Sequence, residues 1–169
     1  MKIECTLSAQ SFRDAAEKVR QYRDGLNAKC EEFCNQVAHV GFSVISYVLS
    51  EHYDTGATLD SLTIEETEKN GVYKATVRVT SDAIMFLEFG TGLVGQGTAP
   101  HAGNYDKPYG SGTFPGQGHW DDPGGWWYYN GWGKKAHTWG MAASMPMYRG
   151  GKEMERVFRQ IARKVFSDG

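Results

Sequence analysis

Few residues in this chain stand where they could do bond-making chemistry. His101, His119, Asp121, Asp122 and His137 are the types that bind a metal, but they follow no HExxH or comparable spacing. They also fall in a glycine-rich stretch, a poor support for ligands that must be held still. Cys30 and Cys34 sit four apart, on one face of a helix beside Phe33 and Val37. There is no CxxC and His39 lies on the helix's other side, so the pair reads as small core hydrophobes. Glu88 could serve as an acid or base, but no second carboxylate is placed for it. Gly90-Thr91-Gly92-Leu93-Val94-Gly95 lacks the GxxxxGK[ST] order of a phosphate loop, and no GxSxG nucleophile turn occurs. The expectation is no catalytic set, no cofactor and no metal. All five tryptophans, Trp120, Trp126, Trp127, Trp132 and Trp139, crowd one segment, where they could stack sugars or bases, fill a subunit interface or complete a core.

The elements that must position these residues are legible from periodicity. Ile3, Cys5 and Leu7 alternate with polar residues, as in a short half-buried strand. Ser8 or Ser11 can cap a helix, and the Ser11-Phe12-Arg13-Asp14 step resembles a capping box. An apolar stripe then runs Phe12, Ala15, Val19, Tyr22, Leu26, Cys30, Phe33, Val37, Val40, Val44, Tyr47 in steps of three and four. Gly25 could break this into two helices or leave one long bent one. After Asp54-Thr55-Gly56, the Asn70-Gly71 turn predicts a hairpin pairing Leu62 with Val79, Ile64 with Val77 and Glu66 with Ala75. Its inner face is apolar at the base and acidic toward a tip that should project beyond the core.

Gly90 to Gly140 holds 14 of the 21 glycines and reads as a long loop that becomes ordered against a partner. Met154, Val157, Phe158, Ile161 and Val165 predict a closing helix, with Arg156, Arg159 and Arg163 along another side. The fold class is α+β: a mainly antiparallel sheet, a long N-terminal helix and a C-terminal helix packed on it, plus the Gly/Trp-rich loop.

With 169 residues the chain fits one domain, 1–169, carrying an extended interaction loop at about 90–140. Ala83-Ile84-Met85-Phe86-Leu87 is its longest apolar run, so no membrane span is expected, and Met1 to Thr6 does not build an export signal. The net charge of −2 shows no basic excess of the kind nucleic-acid binders carry. Its distribution is uneven: Asp54 to Glu88 carries −4, and Met141 to the end carries +3. Opposite local signs on one small domain suit self-association.

Three steps in fixed order carry a resemblance. Asp54-Thr55-Gly56-Ala57-Thr58-Leu59-Asp60-Ser61-Leu62 follows the long helix, and Phe86-Leu87-Glu88-Phe89-Gly90-Thr91-Gly92 follows the hairpin. Gly125-Trp126-Trp127-Tyr128 then leads to His137-Thr138-Trp139-Gly140-Met141-Ala142-Ala143-Ser144-Met145-Pro146-Met147 before the last helix. From the long helix onward this resembles the phage tail-completion (neck) family typified by gene product ten of coliphage HK-ninety-seven. Members share a T-G-x-L-x-x-S-type step, an E-[FY]-G-T step and a P-F step. Here His52-Tyr53 stands where a Pro is usual, Leu59 comes one position late and Met147 replaces the commoner Phe.

The resemblance implies a non-catalytic virion protein at the head–tail junction, made in the host cytoplasm and working as a ring homo-oligomer. Its neighbours would be head-completion or adaptor proteins and tail terminator or tail tube proteins, with DNA passing through the channel. A tail terminator ring is the adjacent reading; a glycan-binding module and a metal-dependent hydrolase using His119, Asp121 and His137 belong to other classes. The candidate subunit-interface residues are Glu88, Phe89, Gly90, Thr91, Gly92, Trp126, Trp127, Trp132, Trp139, Pro146, Arg156, Arg159 and Arg163.

Overall fold

The computed structural model describes residues 6–52, 56–95, 98–99, 122–130 and 132–167. The expected first strand at Ile3 to Leu7 lies mostly outside them. One helix, α1 (Ala9–Ser50), runs unbroken through Gly25. Ser8 caps it, its Oγ accepting the Ser11 N–H at 3.1 Å. No neighbour lies within 4 Å of where a Gly25 side chain would begin, so the glycine costs helix propensity there without creating a break.

A short turn of helix, α2 (Ala57–Asp60), leads into β1 (Leu62–Lys69) and β2 (Val72–Val79). The register is the one the Asn70-Gly71 turn dictates, from Leu62↔Val79 to Lys69↔Val72. Both turn residues take positive φ, 56° and 76°, as a tight two-residue turn requires. The hairpin lies along α1, and near its tip the Cys34 thiol donates to the Tyr73 carbonyl at 3.8 Å.

The last helix, α5 (Pro146–Ser167), packs antiparallel on the C-terminal half of α1. Gly41 and Gly150 set the approach: a side chain at Gly41 would collide with Met154, and one at Gly150 would stand 2.6 Å from Ile45. Farther along, Phe33 meets Phe158 edge-on at 4.9 Å and Phe166 at 5.8 Å. The core sits where α1, the base of the hairpin and the next helix meet: Ile45, Leu49, Leu62 and Leu87, ringed by Phe42, Val77, Val79 and Met147. Burying each such side chain is worth about 1.5–3 kcal/mol.

The glycine-rich stretch departs from expectation. Its described parts form α3 (Ile84–Phe89, just before it), α4 (Gly92–Gly95), β3 (Trp126–Tyr129), β4 (Lys135–Thr138) and β5 (Gly140–Met141). β3 and β4 pair antiparallel, so Trp126, Trp127 and Trp132 stand on a second hairpin separate from the first, before the closing helix. The reason is local. Trp126-Trp127-Tyr128-Tyr129 is a run of strong strand formers. The Asn130 side chain closes the turn by accepting the Trp132 and Lys134 N–H groups at 3.1 and 2.9 Å. No helix among the described residues is long and apolar enough to cross a membrane.

Candidate interaction site: a buried knot and an aromatic hairpin

The chain that leaves α3 and the chain that enters α5 are tied together. Pro146 opens α5, a position that suits its missing N–H. The preceding residue, Met145, has φ 56° and receives the Arg149 N–H on its carbonyl, but its side chain offers no capping oxygen. Glu88 supplies the cap from far away in sequence. Its carboxylate accepts the Met147 N–H at 2.8 Å and the Tyr148 N–H at 3.0 Å, and only 6% of the residue is exposed. A carboxylate at a helix N-terminus satisfies orphan donors and complements the helix dipole.

Around that cap the two segments interlock. The Leu87 carbonyl accepts the Ser144 N–H at 2.8 Å, the Met145 N–H at 3.1 Å and the Ser144 hydroxyl at 3.1 Å. Thr91 bridges to Met141 and takes the Met141 N–H on its hydroxyl at 3.1 Å. Gly90 has φ 73°, and a side chain there would press within 2.8 Å of the Met141 carbonyl oxygen. Phe89 is buried against Ala99, Met85 and Ala143.

The expected interface residues divide by burial. Glu88, Phe89, Gly90, Thr91, Gly92 and Pro146 are all buried within the subunit. They build the platform that carries the second hairpin. Nothing in residue type alone separates a buried capping Glu from a contact Glu. The available signal was the Pro-led helix start that lacks a local Ser, Thr, Asp or Asn cap.

The tryptophans divide by strand alternation. Trp126 and Tyr128 point, with Asn130, Trp132 and Thr138, into a cleft of about 680 Å³ whose other wall includes Leu49, His52 and Phe86. Trp126 is half-buried, and its ring edge lies against the backbone of Gly92. Trp127 points the opposite way and is 62% exposed. It meets His137 edge-on at 4.9 Å, His137 meets Trp139 at 4.5 Å, and the Lys135 ammonium stands 5.1 Å from the Trp127 ring centre. Trp132, Trp139 and Tyr129 are exposed as well. An exposed ladder of rings rimmed by a cation has the make-up of a protein-binding surface, where Trp anchors are favoured.

Arg156, Arg159 and Arg163 are exposed on α5, as their spacing implied. Arg156 is held by Glu153 through a pair of hydrogen bonds of 2.8 and 2.6 Å. Cys30 and Cys34 are half-buried free thiols, and burial, then the neighbouring Cys30, pushes the Cys34 thiol above its usual range. His101, His119, Asp121 and Trp120 lie outside the described residues. Among the described residues, no three His, Cys, Asp or Glu side chains cluster as metal ligands would. Comparison with protein-family models, curated proteins and solved structures finds no match to this chain.

Proposed function

We propose that this chain is a structural, non-enzymatic subunit of the head–tail connector of a tailed bacteriophage, one member of a ring that completes the neck and joins capsid to tail. The observation that carries the reading is the knot. The Phe86-to-Gly92 step and the Gly140-to-Met147 step, on which the resemblance to neck proteins rests, meet as one interlocked unit through Glu88 and Thr91. Shared steps that fold onto each other are what a common scaffold would keep together, with surface segments left to vary. The exposed aromatic ladder of the second hairpin supports a role in contact with other proteins. In this reading the ladder meets a neighbouring neck or tail protein. The arginines of α5 face either the acidic hairpin of the next subunit or DNA crossing the channel.

The experiment is a virion carrying a tag on this protein, imaged by electron microscopy, together with particles made without it. Label at the head–tail junction is expected, and so are filled heads and normal-length tails that fail to join. Label on the capsid shell or tail tip overturns the proposal. Tails of uncontrolled length would assign the chain to the tail terminator instead.

A further inference from the structure

The N-terminal part of α1 is a helix without a lining. α5 covers the apolar stripe of α1 only as far as Phe33, where Phe158 and Phe166 close over it. Beyond that point the helix extends roughly 20 more residues, about 30 Å at the helical rise. The stripe continues along it: Phe12, Val19 and Leu26 are seven apart, in phase with Phe33, and Ala15 and Tyr22 fall between them. Phe12 is 55%, Val19 52% and Tyr22 56% exposed. The first buried residue of α1 is Val37.

The charges around this stripe are sorted. On the helical wheel Lys18 borders it on one side and Arg23 on the other. Glu17 and Asp24 fall on the far side, with Asp14 and Arg20 between. The exposed pair Arg23–Asp24, at 2.8 Å, holds that cation only weakly. A surface that fits this face must therefore be apolar with acidic edges. Parallel pairing of two such arms is disfavoured, because Lys18 would face the partner's Arg23 across the seam. Antiparallel pairing leaves the cations without acids to meet.

The chain carries acids beside a small apolar surface where the arm begins. At the tip of the first hairpin, Glu31, Glu66 and Glu68 line a notch of about 190 Å³ beside Cys34 and Tyr73, with Lys74 its one base among the described residues. Val72, next to Tyr73, is exposed. We propose that the arm of α1 from Ala9 to Lys29 docks its apolar face on a second copy of this chain, with Lys18 and Arg23 meeting the acidic hairpin tip of that copy. The contact is head-to-tail, joining two different surfaces, and such contacts propagate into rings when the rotation closes. It deepens the ring reading given above and rests on it only for the closure of the ring.

The test uses the purified full chain in sedimentation velocity at low salt. Wild type should associate, and Lys18→Glu with Arg23→Glu should raise the dissociation constant about tenfold or more, since like charges then oppose at the contact. Glu66→Lys with Glu68→Lys should do the same. The four changes combined should restore association, and circular dichroism melts should show every variant folded. A monomeric wild type at the highest attainable concentration, or a quadruple variant that stays as weak as the doubles, overturns the proposal. So does association that survives both double variants but is lost in Val19→Asp, which would mean a symmetric apolar seam. Binding to vesicles of anionic lipid without self-association overturns it too. None of these results bears on the tagged-virion experiment, so the two readings fail separately.

Discussion

Glu88 shows how one side chain can be misjudged from its type. An acid between Leu87 and Phe89 looks like a surface contact or a catalytic group, yet its two oxygens take the first N–H groups of α5. Removing it would leave those part-buried donors unpaired beside Met145, which cannot replace it. Glu88→Ala should therefore destabilise the subunit by about 1–3 kcal/mol, and Glu88→Gln by less because one acceptor oxygen remains. Urea denaturation followed by circular dichroism would measure both. An unchanged midpoint for the alanine variant would mean that the cap carries no weight.

At the scale of the element, the second hairpin divides residues that a sequence presents as equals. Trp126 and Trp127 are adjacent and chemically identical, but strand alternation sends one against Gly92 and the other outward. Trp126→Ala should cost about 2–4 kcal/mol of stability through lost packing, and Trp127→Ala should change the thermal midpoint little while, on the neck role proposed above, impairing particle joining. Differential scanning calorimetry alongside an infectivity assay separates the two. The first hairpin was readable to the residue because Asn70-Gly71 admits one turn geometry, which fixes every pair. The second was not, because glycines at 124, 125, 131 and 133 mask two short strands whose turn is closed by a side chain, Asn130. Burial of the Phe89-to-Gly92 step was likewise hidden, since it depends on a partner segment some 50 positions away.

Considered as a whole, the molecule has a packed half and a bare half. All buried residues of α1 lie from Val37 onward, where α5 and the first hairpin cover it. The stripe that runs from Phe12 to Tyr47 in the sequence looks uniform, and only the length of α5 determines where its cover stops. A chain beginning at Lys29 should accordingly melt within a few degrees of the full chain, since marginal domains owe their stability to buried surface. Scanning calorimetry of the two forms checks this, and a collapse of the shortened chain would place the arm inside the folding unit.

The knot has a consequence for how this protein can change. By joining Glu88 to Met147 it closes a loop of chain between them. The entropy lost in such a closure grows with the logarithm of loop length, about 0.6 kcal/mol for each doubling. Residues added to the chain between Ala99 and Asp122 thus raise the cost of that closure only slightly. The chain can therefore grow or shrink in length there while Glu88 and Thr91 keep the two ends of the platform joined.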